Sequence, residues 1–196
     1  LFFLSFFFFQ AEDIIRYVVP LLDFKRVLFL SNSIIDHHII DSAQIIYFVN
    51  LNSNTTTNID SGVCMPCIIL AILLKNMKNN MNVHLYEKSY HKSHFLKEVS
   101  KKLNLNTKVF QKNIFEIKNL ETGTIMSRAF KPMPVVLDLV YENFSKFKNL
   151  IFFMGKSGKK VFKNSKKKWE FEYVEKKSLT NKDSFLINIK KIKTKN

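Results

Sequence analysis

The chain is expected to fold as an α/β domain: a mainly parallel sheet, helices on both faces, and a closing antiparallel strand pair. Three observations predict this. Short β-prone runs alternate with helical stretches from about residue 57 to residue 153, the order that gives parallel strands joined by crossover helices. The segment Ile59-Asp60-Ser61-Gly62-Val63-Cys64-Met65-Pro66-Cys67 runs from a strand end through a tight loop into an apolar helix, and Pro66 suits a first helical turn. Residues 169–174 and 185–192 then follow as two β-prone runs that read as an antiparallel pair.

Each element has its own signal. Ile35, Ile39, Ile46 and Val49 recur at helical spacing within residues 34–49. Residues 50–58 are rich in Asn and Thr and read as a loop, with residues 57–60 ending a short β-prone run. The apolar run that starts at Ile68 continues a helix to about residues 75–80. Val83-His84-Leu85-Tyr86-Glu87 alternates as a second strand with the acid at its carboxyl end, and Ser89 is placed to cap a helix reaching about Leu103. Residues 107–111 and 123–126 read as the third and fourth strands. Pro132 and Pro134 open a helix through Phe147, and residues 150–153 form a fifth strand bounded by Gly155.

Composition sets the wider limits. The 196 residues are 46% hydrophobic with 20 Phe, enough for one packed core. Lys+Arg 31 against Asp+Glu 16 gives a formal charge of +15, which permits an acidic partner. All but Arg16, Arg26 and Arg128 of those cations are lysine, and Lys, Asn, Ile and Phe are all written with A/T-rich codons, so coding bias alone would raise the charge. Residues 146–196 hold 16 lysines against Glu170, Glu172, Glu175 and Asp183. That stretch reads either as a phosphate-binding face or as a solvated surface on the closing strands. Cys64-x-x-Cys67 and His91-x-x-His94 are expected to carry no metal, because nothing in the spacing brings the two pairs together. The opening Leu1-Phe2-Phe3-Leu4-Ser5-Phe6-Phe7-Phe8-Phe9 is too short to span a bilayer. It resembles translated adapter sequence, so residues 1–16 are expected to lie outside the fold. Residues 17–50 are then a helical cap and residues 51–196 the main domain.

Four separated segments carry a resemblance. They are His38-Ile39-Ile40-Asp41-Ser42; the loop from Ile59 to Cys67; Tyr86-Glu87-Lys88-Ser89 with Lys92, Phe95 and Leu96; and Ser127-Arg128-Ala129-Phe130. Gly155-Lys156 adds a partial match. Together they are similar to the bacterial 16S ribosomal RNA guanine-N7 methyltransferases, also called the glucose-inhibited division protein B family. The resemblance runs from about Ser31 onward and implies a Rossmann-like methyltransferase fold that uses S-adenosylmethionine. It also implies 16S rRNA or the small ribosomal subunit as partner, and a cytoplasmic monomer without a membrane anchor. By the same resemblance Asp60, Gly62, Met65, Glu87, Ile114, Phe115 and Arg128 surround the donor. Glu87 takes the ribose hydroxyls, Ile114 and Phe115 flank adenine, and Arg128 positions donor and substrate. The family has an acidic residue where Phe115 stands, a contact that Glu116 would have to supply here. It carries glycines where this chain has Cys64 and Cys67, and the loop is two residues shorter, so a degenerate copy is one expected outcome. A non-catalytic RNA-binding protein with the same fold is the alternative. A nucleotide-binding oxidoreductase is the third reading, but it does not account for Ser127-Arg128-Ala129-Phe130.

Overall fold

The computed structural model describes residues 40–59, 65–128 and 130–195. The expected head at residues 1–16 and most of the expected cap at residues 17–50 lie outside the described residues. What is described of the cap is helical at residues 40–43 and continues as a 3-10 turn, Gln44–Tyr47.

Among the described residues, nine strands and four α-helices follow. They are β1 (Thr55–Asn58), α1 (Met65–Asn76), β2 (Asn82–Tyr86), α2 (Tyr90–Lys102), β3 (Thr107–Phe110), β4 (Leu120–Glu121) and β5 (Thr124–Arg128), then α3 (Met133–Asn143), β6 (Phe144–Lys146), β7 (Asn149–Met154), α4 (Gly158–Lys168), β8 (Trp169–Lys177) and β9 (Phe185–Thr194). Seven strands make one sheet in the order β3-β2-β1-β5-β7-β9-β8, while β4 and β6 form a small separate pair. The five strands from β3 to β7 run parallel, and β9 and β8 are antiparallel to their neighbours. The expected architecture is therefore the observed one.

Period-2 alternation explains the two cores. Tyr86, Ile125, Phe152, Ile187 and Ile189 point to the face covered by α3 and α4. Leu85, Met126, Ile151 and Leu186 point to the opposite face, against α1, α2 and the cap residues Ile45 and Val49. Ile68, Ile69, Leu70, Ala71, Leu73 and Leu74 of α1 are all buried, so this helix is apolar on nearly every side because it lies between sheet and cap.

With only 4 glycines in the chain, other residues close the helices. Lys78 (φ 54°) and Asn104 (φ 49°) take the left-handed conformation after α1 and α2. The next amides, of Asn79 and Leu105, donate back to Leu74 and Ser100 at 2.9 Å each. That is the Schellman arrangement, made here without glycine. At Gly123 glycine is required for another reason: a Cβ would fall 1.9 Å from the Ser53 hydroxyl.

The structure departs from the sequence reading at four places. The polar Asn/Thr stretch expected to be a loop contains β1, because Thr56 and Thr57 are buried between β2 and β5. The helix opened by Pro132 ends at Asn143, and Phe144 to Lys146 turns into β6. Residues 158–168, expected as part of a lysine-rich stretch, form α4, with Phe162 and Ser165 buried. The closing strands are longer than expected, reaching Lys177 and Thr194.

His84 of β2 is the clearest pH-sensitive group in the fold. Burial, reinforced by the charge of Lys108, lowers its pKa below the usual 6.5. The unfolded chain therefore binds a proton at His84 more readily than the folded one, so stability falls as pH drops below about 6.5. A His84→Gln variant is expected to lose less melting temperature than the parent between pH 7.5 and pH 5.5. Equal losses would show that His84 does not contribute.

Candidate functional site

The carboxyl ends of β1, β2, β3 and β5 share one edge of the sheet, where open α/β sheets bind ligands. Glu87 directly follows β2 and Arg128 ends β5, with only β1 between them. Two strand spacings separate the residues, roughly 10 Å.

Glu87 is 2% exposed. Its amide donates to the Phe110 carbonyl at 3.0 Å, which pins the end of β2 to β3. Its Oε1 accepts from the Ser89 amide at 2.7 Å, so the acid orients the start of α2 in the way Ser89 was expected to through its own side chain. The Ser89 side chain makes no capping bond. Glu87 Oε2 is buried and has no hydrogen-bond partner. A buried carboxylate oxygen without a partner costs free energy unless a ligand donor meets it. A vicinal diol supplies such donors.

Beyond β2 and β3 the same edge carries a cleft of about 550 Å³, lined by Lys88, Gln111, Lys112, Asn113, Glu116, Ile117 and Lys118. Asn113 shapes its floor. The Asn113 Oδ1 accepts from the Phe115 amide at 3.3 Å, and its Nδ2 donates to Glu116 Oε1 at 2.8 Å. Ile114 is buried, whereas Phe115 is 37% exposed and stands 5.8 Å from the Phe130 ring. The acid expected to reach this edge is thus Glu116, facing the cleft and held by Asn113.

Asn143 is a site residue that the sequence reading missed. It is buried at the end of α3, and its Nδ2 donates to the carbonyls of Ile114, Phe115 and Ile117 at 3.2, 3.1 and 2.7 Å. Lys118 Nζ donates to its Oδ1 at 2.9 Å. One side chain therefore ties down the backbone beside the cleft. Its signal was an amide on the apolar stripe of Val136, Val140 and Asn143.

Arg128 joins two of the segments that carried the resemblance. Its Nη1 donates to Ser42 Oγ at 2.9 Å, its Nη2 lies 3.7 Å from Asp41 Oδ2, and its guanidinium sits 5.2 Å from the Phe153 ring centroid. Asp41 Oδ1 also accepts from Gln44 Nε2, Ser178 Oγ and Thr180 Oγ1 at 3.0, 2.6 and 3.2 Å. Asp41 is therefore a hub that locks the cap to Arg128 and to the β8–β9 turn. Asp41→Ala is expected to cost about 2 kcal/mol, since several donors to a charged acceptor are released together. A double-mutant cycle of Asp41→Asn with Arg128→Met should show coupling of about 1 kcal/mol. Strict additivity in chemical denaturation would deny the ion pair any contribution.

Of the other expected site residues, Asp60 and Gly62 lie outside the described residues, and Met65 opens α1. Cys67, expected in the loop, lies instead inside α1, fully buried and disulfide-bonded. It packs with Ile68, Leu70 and Ala71 in the core. Among the described residues no group of three His, Cys, Asp or Glu could hold a metal ion, and no helix is long and apolar enough to cross a membrane.

Comparison with known proteins gives a consistent result. The family described as rRNA small subunit methyltransferase G (GidB) matches residues 24–187. The chain is 61% identical over 161 residues to the ribosomal RNA small subunit methyltransferase G of Pelagibacter ubique, covering 82% of this chain and 76% of that protein. It is 29% identical over 152 residues to the protein of the same name from Rickettsia bellii, covering 78% and 76%. Among solved structures, M. jannaschii TYW2 in complex with AdoMet is similar with a TM-score of 0.56 at 14% identity, over 86% of this chain and 79% of that one. A SAM-dependent methyltransferase from Aquifex aeolicus is similar with a TM-score of 0.57 at 12% identity, over 78% and 90%.

Proposed function

The chain belongs to the rRNA small subunit methyltransferase G family, and from that premise we propose that it methylates N7 of a guanine in 16S rRNA, with S-adenosylmethionine as donor. The observation that carries the donor assignment is Glu87, a buried carboxylate whose Oε2 lacks a partner at the carboxyl edge of the sheet. It fits the ribose diol, while Oε1 is already spent on the Ser89 amide. Ile114 and Phe115 flank the adenine, with Glu116 and Asn113 as the polar groups beside it. Asp60, Gly62 and Met65 serve the amino-acid end. S-adenosylmethionine supplies an electrophilic methyl group on a sulfonium.

The guanine N7 already has a lone pair, so no side chain has to remove a proton before attack. The chain's own task is to hold acceptor and donor in line and to exclude water from between them. Held beside Glu87, Ile114 and Phe115, S-adenosylmethionine would supply the methyl group together with the positive charge that ends on the guanine ring. Arg128 acts as a positioning residue, holding the cap against the site through Asp41 and Ser42. The protein works as a monomer in the cytoplasm, where small subunits are assembled.

The test has two readings. Calorimetric titration with S-adenosylmethionine is expected to give saturable binding at one site per chain. Small subunits that lack the modification are expected to gain one methyl group, detected at a guanine N7 by borohydride reduction followed by aniline cleavage of the RNA. RNA binding without donor binding would instead establish the non-catalytic alternative. Restoring the shortened loop by inserting two glycines is expected to tighten donor binding, because bare backbone admits closer approach. Cys67→Gly does not belong in that repair. It would break the disulfide of Cys67, empty a core position and place glycine in a helix, the last at a cost of about 1 kcal/mol from the backbone alone.

A further inference from the structure

At the opposite edge of the sheet from Glu87, a cleft of about 820 Å³ opens between residues 47–50, the β6–β7 turn, and strands β8 and β9. Its lining combines three features. Lys146, Lys148 and Lys190 are exposed along it, and no carboxylate is among the lining residues. Glu172, on β8, is engaged by Lys191 Nζ at 2.7 Å. Tyr47 is 57% exposed at one wall, with Lys176 Nζ 3.0 Å from its ring centroid. At the floor, Asn188 is 4% exposed. Its Nδ2 donates to Asn149 Oδ1 at 3.3 Å, while its own Oδ1 has no partner. Asn50 Nδ2, also lining the cleft, is likewise buried without a partner.

We propose that this cleft binds a single-stranded segment of the substrate RNA other than the methylated nucleotide, a reading that rests on the rRNA methyltransferase function. Lysines along a groove neutralise successive phosphates, and Tyr47, with Lys176 over one face of its ring, offers the rest of its exposed ring to a base. An acidic protein would satisfy the lysines but would not need an exposed aromatic ring beside them. Strand β7, six residues long, sets the distance from this cleft to the donor edge at about 17 Å. The two sites therefore bind different stretches of RNA.

The test uses the full chain, a fluorescein-labelled 12-nucleotide oligouridylate and a 12-base-pair RNA duplex. Joint replacement Lys146→Gln, Lys148→Gln and Lys190→Gln is expected to weaken oligouridylate binding about tenfold or more. It should also flatten the slope of log K against log salt by about 2, near 0.7 for each phosphate that is no longer neutralised. Tyr47→Ala is expected to weaken the single strand by about fivefold or more and the duplex hardly at all. S-adenosylmethionine affinity should be unchanged in every variant, because the cleft is at the other edge, and circular dichroism melts establish that each variant folds. Unchanged oligouridylate affinity and slope in the lysine variant overturn the proposal. So does an equal loss on duplex and single strand with no effect of Tyr47→Ala, which marks a general charged surface or a protein site. These readouts need no methyl transfer, so failure of the parent chain to bind donor would count against the enzymatic function and not against the cleft.

Discussion

Glu87→Gln is expected to weaken S-adenosylmethionine binding by about 10- to 100-fold, the scale of one or two charge-assisted hydrogen bonds. The geometry explains why so small a change matters. The Ser89 amide occupies Oε1 at 2.7 Å, so only the buried Oε2 is left without a partner to take a ligand donor. In glutamine one terminal atom remains an acceptor and is claimed by Ser89, which leaves an amide N–H₂ where the ribose hydroxyls need an acceptor. The unliganded protein should not suffer, because the parent already buries an acceptor without a partner. Its melting temperature is expected to stay the same or to rise slightly, as happens when strain held for a ligand is released. Calorimetry and thermal melts on the same two proteins check both halves. A melting temperature that drops with affinity unchanged would make Glu87 structural.

Asn143→Leu is expected to be the most destabilising single change, at about 3 kcal/mol or more. Three carbonyls lose one shared donor in a part-buried setting, and the half-exposed Lys118 keeps only Glu142 as partner. Each buried group left unsatisfied costs about 1–3 kcal/mol, moderated where water can reach the segment. For a chain of this size the melting temperature should fall by about 6–12 °C. Donor affinity should fall with it, since the carbonyls in question belong to Ile114, Phe115 and Ile117 beside the cleft. Asn143→Asp separates the effects, because it keeps the shape while removing every donor. A melting temperature near that of the parent in both variants would show that the loop holds itself.

The fold was legible because strands and helices alternate in sequence and each strand carries its period-2 pattern. Glu87 and Arg128 were legible because both stand at strand ends within recognisable segments. What was hidden depends on contacts distant in sequence. Asn143 reads as an ordinary helix residue until α3 is laid against residues 114–117. Asp41 has no visible role until the β8–β9 turn brings Ser178 and Thr180 to it. Helix α4 was masked by its composition, since only Gly158, Phe162 and Ser165 are buried in a run dominated by lysine. Cys67 was misplaced because a glycine-rich pattern was laid over a helix that starts two residues earlier, at Met65.

The strand order β7-β9-β8 places β9 inside the sheet, although it follows every other described strand in sequence. During synthesis β7 therefore emerges as an open edge, and it stays open until residues 185–189 arrive to pair with Met154 through Leu150. That edge is Asn-Leu-Ile-Phe-Phe-Met, apolar and free of charge, the kind of segment that recruits another chain when left unpaired. A nascent or prematurely terminated chain ending before Phe185 would expose it. The six lysines of α4, which leave the ribosome before β9, give that unfinished chain a strong like charge. Mutual repulsion then guards the incomplete sheet during the interval before it closes.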